Sequence, residues 1–237
     1  MFNEKDPLVK FKLDILKKGF PAQNSVVFGD MYIVEGGFTK KCLEYGSESV
    51  LLIDSLETPN WLDTRKKNPN INFYKGDFSN TLFMKSIQET YDLSVVFDIL
   101  LHQAPLLNTL HLMLEKTNKH ICIVQPMLRE QKYENTLIYL PGNSNTSELY
   151  PMKDLNKEFR VFDVNEVNQS HWLWGMTVSF LTSVLKGEGF EITFSKEYAD
   201  MPNKNWFWWG CVAERKEQNI KHWSSHRTTR DLYNPNW

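Results

Sequence analysis

Two aspartates and a pair of glycines dominate the chemistry open to this sequence. Within residues 24–54, NSVVFGDMYIVEGGFTKKCLEYGSESVLLID, one apolar run ends at Asp30, Gly36 and Gly37 follow as a turn, and a second apolar run ends at Asp54 beside Ser55. Carboxylates at the ends of neighbouring strands accept hydroxyl and N–H donors, and glycines let the backbone pass close to a bound group where a Cβ would clash. That combination suits a nucleotide-like ligand at the carboxyl edge of a parallel sheet. Asp77 and Phe78 follow a third apolar run, His102 follows a fourth, and His171 precedes Trp172 and Trp174. A histidine titrates near neutrality and can take a proton from a hydroxyl; its competing role is a helix cap or a bond to a loop carbonyl. Indole rings suit a pocket wall and equally a packed core.

Other chemistries lack their residues. The six histidines form no carboxylate-histidine cluster at ligand spacing, so no metal site is expected. A glycine loop leading into lysine is missing, which disfavours nucleoside-triphosphate hydrolysis. Cys42, Cys122 and Cys211 lie in apolar runs without a CxxC, as expected of reduced thiols in a cytoplasmic protein.

The elements that must position these residues follow from hydrophobic periodicity. Leu8, Phe11, Ile15 and Leu16 predict a leading helix after Pro7, stopped by Lys17, Lys18 and Gly19. Strands are expected over 25–29, 49–53, 71–74, 93–97 and 120–124. Helices are expected between them: Gly36 to Tyr45 closed by Gly46, Trp61 to Lys67, Thr81 to Glu89, and one carrying Leu106, Leu107, Leu110 and Leu114. Such alternation is the pattern of an α/β fold with a doubly wound, mostly parallel sheet. Residues 127–170 break the rhythm and read as a substrate-side insertion or lid. Trp174, Val178, Leu181 and Leu185 then share the face of a helix ended by Gly187 and Gly189, and strands 190–194 and 205–213, about ten residues apart, predict a closing antiparallel hairpin.

The 237 residues suit one domain, here expected over 1–215, with a polar tail at 216–237. A net charge of -2 and 24% charged residues give no electrostatic footprint for nucleic acid. The N-terminal stretch MFNEKDPLVKFKLD reads as neither a signal peptide nor a membrane span. Oligomeric state is not legible.

The order of these elements resembles the class I S-adenosylmethionine-dependent methyltransferases, over residues 22–215. DMYIVEGGFTKKCLEYGSESVLLID resembles their first motif, YDLSVVFDILLHQAPLLNTLHLML their fourth-strand motif, and HWLWGMTVSFLTSVLKGEGFEI a Trp-rich helix with a closing Gly-Phe. The resemblance implies a Rossmann-like, seven-stranded sheet and S-adenosyl-L-methionine as cofactor. It places Asp30, Gly36 and Gly37 at the methionine end of that cofactor, Asp54 at the ribose hydroxyls, and Asp77 and Phe78 at the adenine. His102 and His171 become candidate proton acceptors, with Trp172 and Trp174 walling a small-molecule acceptor, methylated at oxygen in preference to carbon. Tyr32 and Val34 stand where the family has glycines. Either Tyr32 turns away and helps position cofactor or substrate, or its ring fills the crevice and the chain is a non-catalytic binding or regulatory relative. A nicotinamide oxidoreductase fits less well, lacking three spaced glycines, and an RNA methyltransferase rests only on Lys221, His222, Trp223, Arg227 and Arg230 in the tail.

Overall fold

The computed structural model describes residues 2–32, 34–103, 105–129, 134–139, 174–200 and 205–216. Most of the expected insertion, His171, Trp172 and the C-terminal tail lie outside these residues.

Helix α1 (Pro7–Lys18) begins where Asp6 caps the amides of Leu8 and Val9, with Pro7 in the first turn, and ends on Lys17 and Lys18. There follow β1 (Asn24–Phe28), α2 (Gly37–Glu44), β2 (Ser49–Asp54), α3 (Pro59–Lys67), β3 (Ile71–Lys75), α4 (Thr81–Ser86) and β4 (Tyr91–Phe97). A single 3-10 turn, Leu100–His102, leads to α5 (Leu106–Glu115) and β5 (Thr117–Leu128). After β6 (Leu137–Tyr139) and β7 (Trp174–Met176) come α6 (Val178–Gly187), β8 (Phe190–Asp200) and β9 (Trp206–Arg215).

The main sheet has seven strands in the order β3-β2-β1-β4-β5-β9-β8. Strands β3, β2, β1, β4 and β5 are parallel, and β9 runs antiparallel to both β5 and β8. This is the doubly wound sheet with a closing hairpin that the alternation of runs predicts. The order reverses between β1 and β4, where the chain leaves the sheet in opposite directions and opens a crevice beyond the carboxyl ends of both strands. Among the described residues, α1, α2 and α3 cover one face and α4, α5 and α6 the other, each burying its own apolar cluster. Strands buried on both faces read as continuous Val, Ile and Leu runs, which is why β1, β2, β4 and β5 were legible.

Three expectations need correction. Trp174 is not on the α6 face: it pairs with Tyr139 in a small antiparallel sheet, and α6 starts only after Thr177, whose hydroxyl caps the amide of Phe180. Helix α4 ends at Ser86, three residues short of Glu89. Strand β8 runs on to Asp200, six residues past its expected end at 194.

Candidate functional site

The parallel register brings three carboxylates to one edge. Phe28 of β1 is level with Ile53 of β2 and Val96 of β4. Asp54 is therefore the last residue of β2, while Asp30 and Asp98 each lie two residues beyond a paired position on adjacent strands. Ile99 crosses this edge so closely that a Cβ on Gly29 would stand 2.7 Å from its Cδ1. Gly29 meets that contact at φ +67, and Asp98 itself adopts φ 59.

Asp30 is 3% exposed. Its Oδ2 accepts the Thr39 amide at 2.7 Å and the Thr39 hydroxyl at 2.8 Å, reaching across the turn to the first turn of α2, where Gly36 offers no side-chain cap. The backbone carbonyl of Asp30 accepts the Gly36 amide at 2.7 Å and closes the turn. Oδ1 is buried with no hydrogen-bond partner. Burial drives the Asp30 carboxyl up to about 7, against the pull of the Thr39 and Phe38 donors and with a push from Asp54.

Asp54 ties two loops together. Its Oδ2 accepts the Met31 amide at 2.9 Å and its Oδ1 the Leu56 amide at 2.9 Å. Burial raises its pKa, and the amides of Leu56, Met31 and Ser55 oppose the rise. Ser55 beside it is exposed.

The glycine turn packs on its own chain. A Cβ at Gly36 would come 2.1 Å from the Trp61 ring, and one at Gly37 would come 2.1 Å from the Phe2 ring. Gly36 also sits at φ +74, a conformation glycine adopts without penalty. The close approach that these glycines permit is thus to Trp61 and Phe2. Tyr32 is 76% exposed, so its ring stands in solvent and does not fill the crevice.

Asp77 is exposed on the loop after β3, where its Oδ1 accepts the Ser79 amide at 2.8 Å; Asn80, not Asp77, caps α4. Phe78 is buried, edge-on to Phe28 at 6.0 Å. His102, half-buried, ends the 3-10 turn after β4 and acts electrostatically on Asp98. The Trp174 indole donates to the Gln103 carbonyl at 2.6 Å, fixing β7 to the segment that follows β4. Asp30, Asp54, Asp98 and His102 thus share one edge. Gly36, Gly37, Asp77 and Phe78 lie on the flanking turns and loop, while His171 and Trp172 lie outside the described residues.

Three residues escaped sequence reasoning. Asp98 pairs through Oδ2 with Lys12 of α1, and its Oδ1 is buried without a hydrogen-bond partner. The Lys12 ammonium lies 5.8 Å from the Phe38 ring centroid and 5.5 Å from that of Trp208. Both had a signal: Asp98 ends its apolar run as Asp54 does, and Lys12 falls inside the apolar stripe of Leu8, Phe11, Ile15 and Leu16. Gln125, buried on β5, directs its amide nitrogen at the sulfurs of Met127 and Met176; nothing in the sequence marks it. A shallow groove lined by Thr182, Lys186, Phe190, Glu191, Ile192 and Lys216 opens at the start of β8, the opposite end of the sheet from these groups. Among the described residues no cluster of acidic, histidine and cysteine side chains could hold a metal, and no helix is long and apolar enough to cross a membrane.

No family model matches the chain, and no curated protein matches it. Solved structures do. A 1,6-didemethyltoxoflavin-N1-methyltransferase from Burkholderia thailandensis, with its substrate and S-adenosylhomocysteine bound, aligns at 15% identity over 88% of this chain and 78% of that one, with a TM-score of 0.58. Magnesium protoporphyrin IX methyltransferase from Synechocystis PCC 6803, bound to S-adenosylhomocysteine, aligns at 11% identity over 91% of this chain and 89% of that one, with a TM-score of 0.54. The cyclase SpnF aligns at 9% identity over 86% of this chain and 79% of that one, with a TM-score of 0.58. At these identities the likeness is one of architecture, and a shared fold does not by itself fix an activity. The chain has the Rossmann-like fold of the class I S-adenosylmethionine-dependent methyltransferases.

Proposed function

We propose that this protein transfers a methyl group from S-adenosylmethionine to a small-molecule acceptor, at oxygen in preference to carbon. The observation that carries this reading is the convergence of Asp54, Asp30 and Asp98 on one sheet edge at the reversal of strand order, with Tyr32 turned out of the way. An acidic edge favours a cationic ligand, and the donor set fits the cofactor's parts. Asp54 spends one acceptor site per oxygen on backbone amides, whereas a carboxylate offers about four, so two ribose hydroxyls can be received without displacing Met31 or Leu56. Asp77, exposed beside the buried Phe78, suits the adenine amine, and the turn that the Asp30 carbonyl closes suits the methionine end. When bound, the cofactor supplies an electrophilic methyl group on a sulfonium. The protein's share is then mainly alignment, exclusion of water and a place for a proton. His102 stands at this edge as a candidate proton acceptor, and His171, Trp172 and Trp174 complete the proposed acceptor side.

Isothermal titration with S-adenosylmethionine tests the reading. Saturable binding is expected. Asp54→Asn should weaken it by about tenfold to a hundredfold, the cost of losing an ionised hydrogen-bond acceptor, while thermal unfolding shows the variant folded. No heat of binding at millimolar ligand would defeat the reading. Binding with no release of S-adenosylhomocysteine across phenol, alcohol and amine acceptors would assign the chain to the non-catalytic alternative.

A further inference from the structure

Asp98 is the one edge carboxylate that does not hold the loops around the crevice. Asp30 is committed to Thr39 and Asp54 to Met31 and Leu56. Asp98 instead takes a lysine on Oδ2 and leaves Oδ1 buried without a hydrogen-bond partner. Such an oxygen is destabilising in a folded chain unless something else satisfies it. The residue also sits in the left-handed region at φ 59, a conformation disfavoured for any residue with a Cβ and concentrated at working sites. A third of its side chain remains exposed, on the same sheet edge as Asp30 and Asp54.

Lys12 gives this carboxylate its character. The helix that carries it buries the ammonium's stem against the sheet, with the rings of Phe38 from α2 and Trp208 from β9 beside the charge. Among the described residues the charged and titratable groups facing Asp98 are Lys12 from α1 and His102 from the 3-10 turn. Burial raises the Asp98 carboxyl, and these two groups oppose the rise. A carboxylate with a lysine on one oxygen and no partner on the other is suited to accept a proton through the unengaged oxygen.

Resting on the methyltransferase reading above, we infer that Asp98 Oδ1 receives the proton of an acceptor that presents a neutral O–H or N–H, with Lys12 as the positioning residue that keeps Asp98 anionic. As the acceptor's oxygen or nitrogen forms its bond to the methyl carbon, the carbon–sulfur bond breaks with its electron pair going to sulfur, and the acceptor's proton passes to Asp98. The same three carboxylates disfavour acceptors that arrive as carboxylates or phosphates.

The test uses the full chain saturated with S-adenosylhomocysteine and matched fragments, phenol against anisole and aniline against its N,N-dimethyl form, with affinities read by ligand-observed NMR. At least one proton-bearing fragment should bind about tenfold more tightly than its capped partner. That preference should disappear in Asp98→Asn and on acidification, and Lys12→Met should move its midpoint to higher pH, because a carboxylate stripped of its cation protonates more readily. The wild-type pH profile and Lys12→Met carry the test if Asp98→Asn does not fold. No preference in either pair, a preference that survives in Asp98→Asn, or a midpoint unmoved by Lys12→Met would overturn the assignment. Failure of the wild type to bind S-adenosylhomocysteine would instead overturn the methyltransferase reading.

Discussion

Replacing Asp30 by asparagine should change how stability depends on pH more than it changes stability at any one pH. Burial carries the Asp30 carboxyl from 3.8 to about 7. Between those values the folded chain keeps a proton that the unfolded chain has released, so stability falls as pH rises through that window. One bound proton corresponds to about 1.4 kcal/mol per pH unit. Over roughly three units Asp30 therefore costs the wild type up to about 4 kcal/mol at pH 8. Asparagine retains an oxygen for the Thr39 amide and hydroxyl, and places an NH2 where Oδ1 has no partner. The protonated wild-type carboxyl carries its own donor on the same partnerless oxygen, so below about pH 7 the two side chains bear comparable costs. The two stability curves should consequently diverge, with Asp30→Asn gaining about 2–3 kcal/mol on the wild type between pH 5 and pH 8. Urea unfolding of both proteins at pH 5, 6, 7 and 8 measures the difference. Curves that stay parallel across this range would show that Asp30 ionises normally in the folded protein, and the reasoning about its burial would be wrong.

Two further outcomes follow from the turn itself. Gly36→Ala should lose about 1–3 kcal/mol more than Gly46→Ala: both sit at positive φ, but the new Cβ at 36 collides with Trp61 whereas Gly46 has no atom within 4 Å. Equal shifts in thermal unfolding would refute that packing. Tyr32→Ala should change stability by no more than about 0.5 kcal/mol and leave S-adenosylmethionine affinity within a few fold; a hundredfold loss would place the ring in the site after all.

Buried parallel strands leave an unmistakable trace, so the sheet and the strand-end residues Asp30 and Asp54 are legible in the sequence alone. The closing hairpin is equally legible, because the ten residues expected between its strands leave no room for a crossover helix. What could not be read depends on tertiary contact. Tyr32 leaves two readings open, because sequence shows that a glycine is replaced but not which way the new side chain turns. Gly36 and Gly37 were assigned to ligand approach, yet Trp61 and Phe2, from other elements, fill the space they provide. Lys12 lies on the apolar stripe of its helix, but its partner is not visible until the helix is docked and Asp98 is seen beside it. Trp174 shows the opposite failure: Thr177 carried a helix-start signal that apolar spacing overrode.

The most direct measurement is a crystal structure of the full chain grown with S-adenosylhomocysteine. The account predicts electron density for the nucleoside beyond β1 and β2, with both ribose hydroxyls donating to Asp54 and the Met31 and Leu56 bonds retained. Crystals grown at saturating ligand that show no density at this edge, or the nucleoside bound away from Asp54, would contradict it.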